Sequence, residues 1–430
     1  MSIPKVPAGD PFGRTVAGHE EFSPNMAVRK VRAGFWNAVF LVSTLVGVLA
    51  LVTLVLTLVD ACFGAVILQD AVPLSQVSDA GKTLDQLSET ELRAAFQAAL
   101  DQDIVTPGRL AVLEGERPLG SRTPEDLRYL LTHEVLQPTV EKAWGLTDTL
   151  LNGQAIRDLK DRKYPDGDLV FRSWITPDFL GRSQSGDILL TGIRGAIVGS
   201  LWIIVLAVLL SLPIGVGAAI WLEEYAGDTK LNRFVQTNIY NLAGVPSIIY
   251  GMLGLALFVR GAEGLTSGSF FGVEGVNGRT VFSAGLTLGL LILPIIIINT
   301  QEALKAIPQS LRWSSYGVGA TRWQTVWHHV LPAAGDRILT GTVFGVSRAL
   351  GETAPLVVVG ASAFLTLDPS GLFSKFTTLP MQVYTLSQQP QTEFRHLASA
   401  AIIVLLVLLL GLNSVAIVLR GRIKKTKEAS

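Results

Sequence analysis

Residues 195–222 read GAIVGSLWIIVLAVLLSLPIGVGAAIWL, an unbroken run without a charged side chain, flanked by Arg194 and Glu223. A helix rises 1.5 Å per residue, so about 20 apolar residues cover a hydrocarbon core of about 30 Å. Within lipid no water is present to satisfy free backbone N–H and C=O groups, and a lone stretch of this kind must close its hydrogen bonds on itself as an α-helix. Taken from Ile188 to Leu222, the run is long enough to span with tilt or an interfacial extension. Working outward, further runs lie from Gly34 to Val59, Phe234 to Val259, Phe282 to Asn299, Ile338 to Leu365 and Leu397 to Leu419. The pattern predicts an all-α polytopic membrane protein of about six spans.

Composition points the same way. Hydrophobic residues make up 49% of the chain, charged residues 16%, and the mean hydropathy is +0.43; soluble domains carry about 25% charged residues. The formal net charge is zero, which gives no support for a nucleic-acid partner. Cys62 is the single cysteine, so neither an internal disulfide framework nor a multi-cysteine metal centre is expected. The first run follows a long polar leader and exceeds the apolar core of a signal peptide, so it reads as a retained anchor.

Basic residues set the orientation. Arg29, Lys30 and Arg32 precede the first run, Lys230 and Arg233 follow the second, and Lys305, Arg312, Arg322 and Arg337 follow the fourth. Arg420, Arg422, Lys424, Lys425 and Lys427 close the chain. With six spans all fall on one side, predicted to be cytoplasmic together with both termini. The resulting organisation is a cytoplasmic segment 1–33, a first spanning helix 34–68, a soluble insertion 69–187 on the outer side, a permease-like core 188–420, and a basic tail 421–430.

The insertion reads as helical. Ser88 with Glu91 makes a capping box ahead of Leu92, Phe96 and Leu100, and Thr123-Pro124 with Asp126 opens a second amphipathic run. Two motif-like matches within it fail chemically. Gly81-Lys82-Thr83 resembles the end of a phosphate-cradling loop, but Gln76 stands where the first glycine is required. His133-Glu134 begins like a zinc-protease helix, but Gln137 replaces the second histidine. No metal, cofactor or hydrolytic centre is therefore expected on this chain.

Between the fourth and fifth runs, at about 305–336, the sequence predicts a helix, a glycine turn at Gly319, a second helix and a proline stop at Pro332. Trp313, Trp323 and Trp327 suit either the membrane interface or a partner's groove, and a surface hairpin of no special role is the plain alternative. Gly319-Ala320-Thr321, with Leu331-Pro332 closing the segment, resembles the coupling loop of ABC importer permeases. The usual Glu-Ala-Ala start is replaced here by Trp313-Ser314-Ser315, and His329 stands where an apolar residue is usual.

Three other segments resemble phosphate ABC importer permeases, particularly the PstA type: Ile220 through Ala226, Asn241 through Gly251, and Ser347 through Pro355. The resemblance covers about residues 188 to 420 and implies a translocation subunit with no covalent chemistry of its own. It further implies a related second permease subunit, two cytoplasmic ATPase subunits and an outer phosphate-binding protein as partners, besides membrane lipid and phosphate itself. Residues Trp313, Gly319, Ala320, Thr321, Trp323, Leu331 and Pro332 would then face the ATPase.

Arg348 lies eleven positions past Arg337, about 16 Å along a helix and so deep in the bilayer, where a charge usually marks a pathway. Arginine supplies the planar fork that phosphate accepts, and Glu352 at i+4 is placed to orient or neutralise it. A buried ion pair that only fixes packing is the competing reading. Glu223 and Glu224 read as a solvated helix end. Pro213 and Pro246 fall within spans and mark kinks or packing irregularities. An ABC permease for another oxyanion, such as sulfate, molybdate or phosphonate, is the alternative cargo reading; an ion-coupled secondary transporter would require inverted repeats around broken helices, which the sequence does not clearly display, and a membrane enzyme lacks its motif.

Overall fold

A computed structural model describes residues 26–78, 82, 84–273 and 277–428. Most of the predicted leader, Gly81 and Thr83 of the failed phosphate loop, and the last two residues of the basic tail lie outside the described residues. The chain forms two compact units, residues 1–57 and 58–430. The first holds most of helix α1 (Met26–Cys62), whose apolar side chains are open along its length, Phe35, Leu41 and Leu49 among them. Its length and apolar composition suit a membrane span.

The second unit begins as α1 ends. Residues 63–68, predicted as the end of the first spanning helix, instead form strand β1 (Phe63–Asp70). After β1 come α2 (Glu89–Asp101), α3 (Pro107–Glu116), α4 (Pro124–Leu130), β2 (Pro138–Ala143), α5 (Leu146–Leu151), α6 (Gly153–Lys163), β3 (Asp168–Ser173) and α7 (Pro177–Gly181). The insertion is thus helical in its middle, as predicted, but it also contains an antiparallel sheet of order β2-β1-β3. Val66 pairs with Val170 on β3 and with Ala143 on β2, and a register shift falls between Ile67 and Leu68. These strands are short and far apart in sequence, so local periodicity gives no sign of their pairing.

Both predicted capping boxes form. The Ser88 amide donates to Glu91 at 2.8 Å, and the Thr123 amide to Asp126 at 3.1 Å. Lys82 and the Ser88 donors hold the Glu91 carboxyl down at about 2. The helices they start bury Leu92, Phe96, Leu127 and Leu130 in one small core.

The remaining elements include α8 (Arg194–Ile220), α9 (Lys230–Ala243), α10 (Ser247–Gly254), α11 (Val281–Lys305), α12 (Gln309–Gly317), α13 (Arg322–Thr325), α14 (Leu331–Gly351), α15 (Ala354–Val359), α16 (Leu379–Ser387) and α17 (Phe394–Glu428). Among the described residues four helices are long and apolar enough to cross a membrane: Arg29–Cys62, Arg194–Tyr225, Val281–Lys305 and Phe394–Val418. The predicted third span is a pair bent by 105° between Ala243 and Ser247, which would raise the number to five. The predicted fifth, Ile338 to Leu365, is not one helix. It divides at Glu352–Thr353, because Gly351 weakens the last turn of α14 and Pro355, lacking an N–H, suits the first turn of a new helix.

Helix α11 is the hub, packed along α8 and α14. Close approach to α8 depends on Gly285, where a Cβ would lie 2.5–2.9 Å from three side-chain carbons of Leu206. Replacing Gly285 with valine is expected to cost about 1–3 kcal/mol through overpacking, read as a lower melting temperature of the detergent-solubilised chain. Gly217→Ala, where nothing lies within 4 Å of the added carbon, should not lower that temperature and should raise it slightly, since alanine suits a helix interior better than glycine.

Candidate functional site

Two helix breaks flank a close contact between α10 and α15. The first follows α9, where Gly244, Val245 and Pro246 interrupt the helix. Breaking a helix frees carbonyls at its end, and the Tyr250 hydroxyl donates to one of them, Leu242 O, at 2.8 Å. The second is the Glu352–Thr353 break between α14 and α15. Gly251 on α10 lies so close to α15 that a Cβ there would fall 2.6 Å from Pro355 Cα. Two of the segments that resemble phosphate permeases, distant in sequence, are therefore in direct contact.

Arg348 sits in the last turn of α14, where the helix dipole favours a cation. Its Nε donates to Glu352 Oε1 at 3.3 Å, with the side chains 39% and 20% exposed. Glu352 is not on the helix face, as the i+4 reading supposed. It caps the helix in extended backbone and reaches back to the guanidinium. Among the described residues the two terminal nitrogens of Arg348 have no protein acceptor. The adjacent Ser347 donates to Asn413 at 2.6 Å, tying α14 to α17.

The predicted hairpin forms with its glycine turn. Gly319 adopts φ +86°, while open space surrounds its missing Cβ, so backbone conformation and not room demands glycine there. Thr321 caps α13 in a box with Gln324, and the Ser315 and Thr325 hydroxyls meet at 2.9 Å to close the hairpin. Val318 and Trp313 project furthest, at 86% and 73% exposure. Trp323 and Trp327 stack with ring centroids 5.4 Å apart and line an apolar groove of about 750 Å³ together with Leu331, Trp221, Tyr225 and the end of α8. Ala320 is half-buried. Pro332 does not stop the helix. It occupies the first turn of α14 directly after a wide π-turn, Val326–Val330, and that widened turn accommodates the proline ring.

One interaction escaped the sequence reading. Arg312 and Glu224 form an ion pair at 2.6 Å with both side chains only 7% exposed. The same guanidinium donates to the carbonyls of Leu304 at 3.1 Å and Ile307 at 2.9 Å, at the end of α11. Glu224 is thus no solvated helix end, although Glu223 beside it lies 4.0 Å from Lys305. The available signal was the acidic pair at 223–224 matched to the basic stretch after α11, but 88 residues separate the partners. In the insertion, Glu134 of the failed zinc motif is held by Arg109 at 2.6 and 3.0 Å.

Residues 211–425, half of the chain, match the family described as the binding-protein-dependent transport system inner membrane component. The phosphate transport system permease protein PstA of Mycobacterium leprae is 31% identical over 224 residues, which are 52% of this chain and 68% of that protein. PstC of Pasteurella multocida is 36% identical over 201 residues, 43% of this chain, and the match spans 60% of PstC's own length. The probable ABC transporter permease protein YqgI of Bacillus subtilis is 29% identical over 235 residues, 51% of this chain and 76% of YqgI. The family match begins after the insertion.

Arg312→Ala would leave Glu224 buried without its cation and two carbonyls without a donor. Breaking one half of a buried pair costs about 3–5 kcal/mol, so thermal unfolding of the solubilised chain should shift sharply downward. The double replacement Arg312→Met with Glu224→Gln removes both charges and should recover the part of that loss due to the unpaired carboxylate, leaving the part due to the two carbonyls.

Proposed function

The chain belongs to the binding-protein-dependent transport system inner membrane component family, and from that premise we propose that it is the phosphate-translocating subunit of an ATP-driven importer. The observation that carries the cargo is the free end of the Arg348 fork, beside the break where two phosphate-permease-like segments touch. A guanidinium with both terminal nitrogens available suits two oxygens of a tetrahedral anion. Glu352 holds the stem at Nε and leaves that end open. The similarity to PstA and PstC supports phosphate as the anion.

In this reading a second, related permease subunit completes the pathway across the exposed side of Arg348. Phosphate arrives from an outer binding protein, and both termini are cytoplasmic. Two ATPase subunits hydrolyse ATP, and this chain carries no chemistry itself. Trp313 and Val318 dock the ATPase, because they project furthest and an exposed apolar knob gains most from a partner's pocket. Gly319, Ala320 and Thr321 set the angle of that contact. Trp323, Leu331 and Pro332 sit behind it, against the groove along α8. Motion of the ATPase pair would reach the pathway through α13 and α14, which run as one helical rod from Arg322 to the break after Gly351.

Arg348→Gln is expected to abolish phosphate uptake into proteoliposomes carrying the whole transporter, with the ATPase still bound. Arg348→Lys keeps the charge and loses the fork; one charged hydrogen bond is about 1.5–3 kcal/mol, so uptake at low phosphate should fall about ten- to a hundredfold. Uptake at the original rate in an assembled Arg348→Gln transporter would remove Arg348 from the pathway.

Gly319→Val must hold a β-branched residue at positive φ. ATP hydrolysis by the complex should persist while uptake drops, and coupled transport at the normal rate in that variant would contradict the docking role.

A further inference from the structure

The insertion is fastened to the end of helix α1 in a way that points to what its exposed leucines meet. The apolar run of α1 ends at Val59, and Asp60 follows. The Asp60 carboxylate accepts the backbone N–H of Thr147 at 2.6 Å. Gly145 lies so close that a Cβ there would have no room against the same carboxylate. Helix α5 is therefore pinned, by its first turn, level with the point where the first spanning helix leaves the hydrocarbon. A second set of bonds holds it there: the Trp144 amide donates to the Ala65 carbonyl at 3.0 Å, and the Ala65 amide to the Thr149 hydroxyl at 2.8 Å.

From this pinned helix two consecutive leucines project, Leu150 and Leu151, 73% and 77% exposed. Six residues of helix extend only about 9 Å, so the leucines stay close to the level of Asp60. Just before the helix, the Lys142 ammonium lies 5.3 Å from the centre of the Trp144 ring. Tryptophan is enriched at membrane–water interfaces, and lysine extends its charged end toward the headgroups. Two large apolar side chains and a tryptophan thus lie near the end of a span, with a lysine on the strand beside them.

We infer that α5 is a membrane-surface anchor: Leu150 and Leu151 enter the boundary of the leaflet in which α1 ends, and the occupant of this exposed apolar pair is phospholipid. Lipid is favoured over a protein partner because the leucines lie level with the end of a spanning helix, where the adjoining surface is bilayer. Lys142 adds a cation that complements lipid phosphate. The anchor holds the insertion at a fixed height over the membrane, and the inference is independent of which anion is carried and of which side the insertion occupies.

The test places a nitroxide on Leu151→Cys in the full-length chain, reconstituted in phosphatidylcholine–phosphatidylglycerol vesicles. Cys62 is fully buried and leaves the label to the new site. Collision with oxygen, which partitions into lipid, is compared with collision with a water-soluble nickel chelate. The reference is Thr139→Cys, exposed and paired with Gln69 at the far end of β1, about 23 Å along the strand from Cys62. The oxygen-to-nickel ratio at 151 should exceed that at 139 several-fold. Equal ratios would overturn the anchor. A label at 151 shielded from both reagents would also overturn it, since a protein and not lipid would then cover the leucines.

Discussion

Arg312 is where the helical hairpin after α11 becomes part of the membrane core. Its guanidinium neutralises Glu224 at the end of α8 and at the same time satisfies two carbonyls where α11 ends. A charge so deeply removed from water is tolerated only when it is paired and hydrogen-bonded, and four of the five Arg312 N–H donors have acceptors here. The position of the hairpin therefore follows from the joint between α8 and α11, the two helices at the heart of the bundle. Without it the exposed face at Trp313 and Val318 would have no fixed direction relative to the spans.

From that joint the rest of the core can be followed. Helix α11 carries α8 on one side through Gly285 and Leu206, and it meets α10 through Thr287, against which Gly254 lies without room for a Cβ. Helix α10 in turn touches α15 at Gly251 and Pro355. Small residues permit these approaches, and lipid-embedded helices rely on them because apolar area gains little by leaving lipid. The two broken helices are thus braced by backbone contact, and their free polar groups turn to internal partners such as the Tyr250 hydroxyl. Irregular backbone within a bundle is stable only on those terms. The same breaks leave Arg348 at a helix end with part of its hydrogen-bonding capacity unused.

The insertion follows a different logic. Its helices bury a conventional core of leucine, phenylalanine and alanine, as a soluble domain does, and its sheet is rooted on the spans. Cys62, Val66 and Trp174 share a cluster with Ile193 on the approach to α8 and with Leu397 and Ala401 on α17. His396 Nδ1 lies 2.7 Å from the carbonyl of Ala61. Strand β1 thus continues the chain out of α1 while its neighbours hold it to the ends of two other helices.

The sequence by itself determined the features that are local. Four of the six apolar runs, the Ser88 and Thr123 capping boxes and the glycine at the hairpin turn each depend on a few neighbouring residues, and each appears where the pattern placed it. The sequence also put Arg348 beside Glu352. Only the tertiary structure decided the rest: the sheet within the insertion, the bend at Pro246, the helical continuation through Pro332, the burial of Glu224 against Arg312, and the meeting of Gly251 with Pro355. Glu224 shows the reason. A carboxylate at a helix end is read as solvated until its surroundings are known, and its partner lies 88 residues away on another helix. Periodicity and capping chemistry act over one or two turns, whereas the cost of burying a charge or bending a helix is set by whatever the fold brings against it.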